Sequence, residues 1–137
     1  EYDHQYPQYG FVSAAFARVL GHSDEGVGDD AHSWAVDGEN LCTQHNNEGG
    51  EYGCQWKQGD VVGLACDLES MQVRVSVNGS FAAPNGIVYD LAPDAVLDGL
   101  FAAFSCYRQG KVRYNLGAAP FRHAAPSGDY KGFVEFV

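Results

Sequence analysis

The sequence has few cations, few prolines and no long apolar run. Lysine and arginine number 8 against 18 acidic residues, so the formal net charge is −10. An acidic chain repels phosphate groups, which makes nucleic acid and anionic membranes poor partners and a basic peptide an acceptable one. No apolar stretch approaches the roughly 20 residues that a membrane-spanning helix needs, and we expect no direct insertion into a membrane.

The negative charge lies mostly in the first part of the chain. Residues 1–60 carry eleven acidic side chains against Arg18 and Lys57, a charge of −9, which leaves −1 for the remainder. A surface of this kind favours a partner with basic or amide-rich character. Solubility alone is the alternative explanation.

Metal-binding and disulfide patterns are also missing. No two of the 4 cysteines lie at the spacing of about two to four residues that a structural zinc knuckle needs. Cys66 falls in an apolar run, as a small buried side chain does. A bridge from Cys42 to Cys54 would close a loop, yet a β domain of 137 residues needs no such staple. With no signal peptide visible, we expect free thiols and an intracellular, cytoplasmic protein.

Catalytic motifs are absent from the sequence as well. His22, Ser23 and Asp24 are consecutive, so they cannot all converge on one reacting centre. The chain has no nucleophile elbow, no phosphate-binding loop and no clustered histidine pair. We therefore expect no enzyme activity, no cofactor and no metal.

The sequence does have a glycine-rich segment that combines turns, paired acids and a tryptophan. Asp37 and Gly38 predict a tight hairpin between residues 33–36 and 40–43. The hairpin fixes Trp34 on a short strand, where we expect its indole to fill the core.

Two adjacent acids in this segment need separate consideration. Asp29, Asp30 and His32 are the best candidates in the chain for a hidden metal or acid–base site. Adjacent residues in extended backbone point to opposite faces, and short polar side chains near turns hydrogen-bond the backbone. We therefore interpret Asp29 and Asp30 as structural residues with two separate contacts.

Apolar patterning predicts further strands and a core. Residues 73–77 alternate strictly, and Asn78-Gly79 predicts a tight turn after them in preference to a glycosylation acceptor. Residues 45–53 and 82–97 lack periodicity and are predicted to be loops, the first of them mobile and exposed. The predicted strands also include residues 9–16, 59–68, 71–77, 100–104, 111–116 and 133–137. We expect residues 100–104 to form a central strand. The predicted core includes Trp34, Val62, Leu64, Cys66, Val73, Val75, Leu100, Phe101 and Phe104.

Five motifs occur in the order in which a known family has them. They are GVGDD to DG at 26–38, GDVVG at 59–63, NG at 78–79, DGLFAAFS at 98–105 and KVRYNLG at 111–117. Together they resemble the SPRY domain, and the first also resembles a segment of ryanodine-receptor SPRY domains. The resemblance implies an all-β fold, a bent antiparallel β-sandwich of the concanavalin-like jelly-roll kind, formed as one domain by residues 1–137. The family's first strand has no counterpart here, so we expect it to be absent from this chain.

The resemblance also implies a function. SPRY domains are non-catalytic modules that bind a partner protein or peptide through loops at one end of the sandwich, within larger proteins such as ubiquitin ligase adaptors or channel scaffolds. Position by position, the partner-binding residues map to His4, Tyr6, Pro7, Gln44, His45, Tyr52, Tyr107, Arg108 and Gln109. Tyr107 and Arg108 compete for the place where some relatives carry a key aromatic side chain. We expect the domain itself to be monomeric.

Other motif residues are interpreted as structural, and one alternative function stays open. The structural residues are Trp34, Asp29, Asp30, Asp37, Gly38, Asp60, Asn78 and Gly79. The alternative is a sandwich that binds carbohydrate or another small ligand, because lectins share this general shape. Against it, the chain lacks the alternating acidic loop of a calcium site.

Overall fold

The computed structural model describes residues 6–16, 26–107 and 110–136. The strands are β1 (Gln8–Ser13), β2 (Ser33–Asp37), β3 (Cys42–His45), β4 (Glu48–Glu51), β5 (Val62–Asp67), β6 (Gln72–Val77), β7 (Gly86–Asp90) and β8 (Leu100–Ser105). Two 3-10 helices, Pro93–Val96 and Phe133–Phe136, complete the regular structure of the described residues.

The strands form two antiparallel sheets that share a core. The large sheet has the order β4-β3-β2-β1-β8, and the small sheet has the order β5-β6-β7. Two apolar clusters lie between the sheets, and each takes side chains from both. The prediction of an all-β antiparallel sandwich is therefore confirmed.

Alternation along the strands decides which side chains enter this core. Phe11 in β1 pairs with Trp34 in β2, and both point between the sheets, where they are 1% and 4% exposed. The buried members of the two clusters are Phe11, Trp34, Val73, Leu91, Val36, Tyr52 and Val75. The predicted core is thus confirmed for Trp34 and for two valines of β6. Four other predicted core residues pack against the clusters while half-buried: Val62, Leu64, Cys66 and Leu100.

The backbones of β1 and β2 approach closely where Gly10 lies opposite Ala35. A Cβ atom at Gly10 would overlap the carbonyl oxygen of Trp34. Only glycine fits there, because a backbone atom of β2 cannot move aside as a flexible side chain would.

A tyrosine links the two sheets by hydrogen bonds. The Tyr89 hydroxyl in β7 lies 2.7 Å from the carbonyl oxygen of Ala35 in β2 and 2.9 Å from that of Gln44 in β3. One hydroxyl proton is therefore shared between two acceptors on neighbouring strands. Burial raises the pKa of Tyr89 to about 12, so this donor keeps its proton at neutral pH.

The expectation that residues 100–104 form a central strand is wrong. β8 pairs with β1 and ends the large sheet among the described strands. Phe101 lies opposite Val12 on the face turned away from the core and is 53% exposed. Phe104 contacts Tyr9 and Tyr114 at the edge and is 44% exposed. Neither phenylalanine belongs to the core, because an edge strand is covered from one side only.

Two segments predicted as loops contain strands. Residues 45–53 form the end of β3 and all of β4, joined by a turn in which Asn46 and Asn47 have positive φ angles of 53° and 60°. All four β4 residues are exposed and two of them are glycines, so no apolar alternation marks this strand. β7 lies within residues 82–97, where an irregularity in its pairing with β6 breaks the period.

Several predicted boundaries also differ. β1 ends at Ser13, and residues 38–41 rather than two residues connect β2 to β3. Residues 111–116 form no strand, because the Asn115 side chain starts a turn: its amide donates to the Ala119 carbonyl (2.8 Å) and its oxygen accepts from the Gly117 N–H (3.0 Å). Residues 133–136 form a 3-10 helix instead of a strand. All four cysteines are free thiols.

Candidate functional site

Antiparallel pairing brings two tyrosines from distant parts of the chain together. Gln8 at the start of β1 lies opposite Ser105 at the end of β8, so the segments that flank these two residues meet. The rings of Tyr6 and Tyr107 have centroids 6.3 Å apart and are nearly perpendicular, at 83°. The Tyr6 backbone N–H donates to Glu39 (3.0 Å), which fixes the segment beside the β2–β3 connection.

These tyrosines stand at a cavity of about 630 Å³, here called the strand-end cavity. Its floor is one row of paired residues across four strands: Cys42 opposite Asp37, Asp37 opposite Gln8, and Gln8 opposite Ser105. This row lies on the face of the large sheet opposite to the core. The full lining is Tyr6, Gln8, Gly26, Asp29, Asp37, Asn40, Cys42, Gln44, Ser105, Cys106 and Tyr107.

A chain of hydrogen bonds attaches the glycine-rich loop to this floor. The Ser105 hydroxyl accepts from the Val27 N–H (2.9 Å) and donates to the Gln8 side-chain oxygen (3.0 Å). The Gln8 amide donates to Asp29 Oδ1 (3.3 Å), and Asp29 Oδ2 accepts from the Gly26 N–H (2.5 Å). Several polar side chains of the cavity are therefore held in fixed orientations before any ligand arrives.

Asp37 forms the most buried part of the floor and is 2% exposed. Its Oδ1 accepts from the N–H groups of Glu39 and Asn40, both at 2.8 Å, and its Oδ2 accepts from the Asn40 side chain at 2.7 Å. These bonds hold the β2–β3 connection. Burial, followed by the charge of Asp37, raises the pKa of the Cys42 thiol.

Asp30, which follows Asp29 in the glycine-rich loop, has a different set of hydrogen-bond partners. Asp30 Oδ1 accepts from the His32 N–H (2.9 Å) and from the Ser33 hydroxyl (2.7 Å). The Ser33 oxygen in turn accepts from the Gly28 N–H (2.8 Å). A Cβ atom at Gly28 would lie 2.6 Å from the Gln44 carbonyl oxygen, and its φ of 104° suits glycine. Asp30 therefore shapes the loop from inside and does not line the cavity.

A second polar group joins the residues just before β5 to the turn just after β6. Asn78, with a φ of 51°, accepts from the Val61 N–H (2.9 Å) and donates to Asp60 (2.9 Å). The Asn78 hydrogen bond is the main cause that lowers the pKa of Asp60. Gly79 follows with a φ of 84°. Gly38, in the β2–β3 connection, packs so closely on the Trp56 ring that a Cβ atom would overlap it.

The structure brings together only some of the predicted partner-binding residues. Tyr6, Gln44 and Tyr107 line the strand-end cavity, whereas Pro7 adjoins it without belonging to the lining. His4, Arg108 and Gln109 lie outside the described residues, as do His22, Ser23 and Asp24.

His45 and Tyr52 lie on the core side of the large sheet and not in the cavity. The His45 ring stacks on Trp34 at 5.0 Å, and its Nδ1 lies 2.8 Å from the Ser33 carbonyl oxygen. Tyr52 is 2% exposed, donates to Asn85 (2.6 Å) and accepts from the Trp56 indole (3.1 Å). The position of His45 in β3 turns its ring inward, and Tyr52, which directly follows β4, belongs to an apolar cluster of the core.

Sequence reasoning missed most of the cavity floor. Gln8, Asp37 and Ser105 are far apart in the chain and meet only through the pairing of β8, β1 and β2. The available signal was a polar residue at an end of each of these strands, on an outward face that also carries Val12 and Phe101. Alternation gives that face, but the register between strands is required to place the residues side by side.

A metal site and a membrane-spanning helix each have requirements that the described residues do not meet. Among them, no group of three histidine, cysteine, aspartate or glutamate side chains is placed to hold a metal ion. No helix in the described ranges has the length and apolar character needed to cross a membrane.

Comparisons with known proteins place the fold in a family. A model of the SPRY domain matches residues 5–119. E3 ubiquitin-protein ligase RKP from Arabidopsis thaliana is 33% identical over 100 residues, which are 72% of this chain and 8% of that ligase. The chain thus spans a small part of the length of this relative. On the family match, the chain belongs to the SPRY domain family, whose members are commonly protein-interaction modules.

Proposed function

We propose that this domain is a non-catalytic module that binds a peptide segment of a partner protein in the strand-end cavity. The observation that supports this most is the convergence of Tyr6, Gln44 and Tyr107, three of the residues expected to bind a partner, on one cavity. In this proposal the domain serves an intracellular, multidomain protein as an adaptor or scaffold, as the ubiquitin ligase relative suggests.

The chemistry of the cavity suits peptide recognition. Its volume of about 630 Å³ falls within the roughly 300–1,000 Å³ range of ligand sites, enough for a few side chains. Tyr6 and Tyr107 are 47% and 54% exposed at the rim. Such aromatic side chains often supply most of an interface's binding free energy. The Gln8 and Gln44 amides offer donors and acceptors to a peptide backbone.

The lining is poorly suited to nucleophilic catalysis. Cys42 is a nucleophilic side chain of the lining. Burial, followed by the charge of Asp37, raises the pKa of its thiol. A raised pKa keeps the thiol protonated at neutral pH, whereas a catalytic cysteine needs the thiolate. The surroundings of Cys42 therefore do not activate this thiol as a nucleophile.

Peptide selection followed by measured affinity tests this proposal. Peptides are selected from a random displayed library on the whole chain, and their affinities are measured by fluorescence polarisation. We expect Tyr107→Ala and Tyr6→Ala each to lower the affinity for the selected peptides at least about tenfold, or 1.4 kcal/mol. The melting temperature of each variant should change little.

Tyr114→Ala is the matched control, because Tyr114 is 65% exposed and does not line the cavity. It should leave the affinity within about twofold of the parent, a change well below 1 kcal/mol. Parental affinity in both the Tyr6 and the Tyr107 variants would show that the binding site lies elsewhere.

A further inference from the structure

Among the described residues, the lining of the strand-end cavity contains two carboxylates and no cationic side chain. Asp29 and Asp37 both belong to the lining, and none of the described lining residues is a lysine, an arginine or a histidine. A low-dielectric cavity with one sign of charge attracts a ligand group of the opposite sign.

The Asp29 carboxylate has acceptor capacity left. A carboxylate offers about four lone-pair directions. In the structure Asp29 Oδ1 accepts from Gln8 and Oδ2 accepts from the Gly26 N–H. These two amide donors orient the group without neutralising it, so each oxygen can still accept a bond from a cationic donor. Two adjacent acceptor oxygens match the fork of a guanidinium group.

The rim adds an environment for the rest of a basic side chain. The Tyr6 and Tyr107 rings are nearly perpendicular, with centroids 6.3 Å apart. A basic side chain has an apolar stem that packs on such rings, and its charged head is attracted to an aromatic face. The tyrosines and Asp29 line the same cavity, which therefore offers aromatic faces to the stem of an arginine and a carboxylate to its head.

From this geometry we propose that the strand-end cavity receives one basic side chain of the bound segment, arginine in preference to lysine. Its guanidinium group lies against Asp29 and its stem lies beside Tyr6 and Tyr107. The inference rests on the proposed peptide-binding function and specifies the residue that the peptide must carry.

A double-mutant cycle tests this proposal with a selected peptide and its citrulline analogue. Citrulline keeps the shape of arginine and removes its charge. We expect the selected peptides to share an arginine or lysine, and replacement of that arginine by citrulline to weaken binding at least about tenfold. Asp29→Asn should lower the affinity for the arginine peptide to a similar degree and lower the affinity for the citrulline peptide much less.

Asp94→Asn is the control for loss of one negative charge, because Asp94 is exposed and outside the cavity lining. It should leave both affinities unchanged, and circular dichroism of each variant confirms the fold. Equal affinity of the arginine and citrulline peptides, with binding still lost in Tyr107→Ala, would overturn this inference and leave the proposed function standing. Binding that survives Tyr107→Ala and Tyr6→Ala would overturn both.

Discussion

At the scale of single residues, Trp34 is the side chain on which the core depends most directly. It is 4% exposed, stacks on His45 and lies in a cluster with Phe11 and Val73. We expect Trp34→Ala to lower the free energy of unfolding by about 3 to 5 kcal/mol, because truncation leaves a cavity that the sheets cannot close.

Urea denaturation followed by far-UV circular dichroism measures this loss. Leu97→Ala is the control, since Leu97 is 80% exposed and its removal should change the free energy of unfolding by less than about 0.5 kcal/mol. A Trp34→Ala variant that unfolds at the same urea concentration as the parent would contradict the assignment.

The buried Tyr52 and the half-buried Tyr89 predict how stability depends on alkaline pH. Burial raises the pKa of Tyr52 and of Tyr89 to about 12, from an unfolded value near 10. Because the folded value is the higher one, their contribution to stability is full below pH 10 and is lost as pH rises towards 12. We expect unfolding in this window, and a shallower dependence in Tyr89→Phe.

Thermal melting at a series of pH values checks the pH dependence, with Tyr114→Phe as the exposed control. Tyr89→Phe should also cost about 1–3 kcal/mol at neutral pH, because the carbonyl groups of Ala35 and Gln44 lose their shared donor. A pH dependence identical to that of the parent would show that Tyr89 does not contribute to the alkaline transition.

At the scale of elements, the β3–β4 hairpin depends on the conformation of its turn. Asn46 and Asn47 have positive φ angles of 53° and 60°, which asparagine tolerates and β-branched residues do not. We expect Asn47→Val to destabilise the domain by about 1–2 kcal/mol and Asn47→Gly to leave it unchanged or slightly more stable. Thermal melting of the two variants measures this difference. Equal melting temperatures for the valine and glycine variants would refute the turn assignment.

The elements also show how far the sequence determines the fold and the site. β6 was predictable because its valines alternate strictly, and the turn at Asn78 was predictable from its residue types. β4 was not, because its exposed side chains leave no period. Phe101 suggested a core position, yet its exposure depends on β8 being an edge strand, which is a property of strand order. The cavity floor depends on register, which is also non-local.

At the scale of the whole molecule, the net charge of −10 opposes compaction. Like charges repel within the folded domain, and salt screens that repulsion over about 10 Å at 0.1 M. We expect sodium chloride at about 0.5 M to raise the melting temperature. The same salt should lower the affinity for an arginine-containing peptide. Differential scanning fluorimetry and fluorescence polarisation measure the two effects. A melting temperature that falls with added salt would mean that attractive ion pairs dominate the charge balance.

The close approach of β1 and β2 at Gly10 bears on how inherited or engineered variants are interpreted. Every substitution there places an atom on the Trp34 carbonyl oxygen, so none is conservative. Gly10 lies two residues after Gln8 on the same face of β1, and Gln8 lines the cavity. In a cell, proteolysis would lower the abundance of a destabilised Gly10 variant, so the proposed partner binding would be lost together with the protein. Such a variant reports on protein level and would not identify the residues of a binding site.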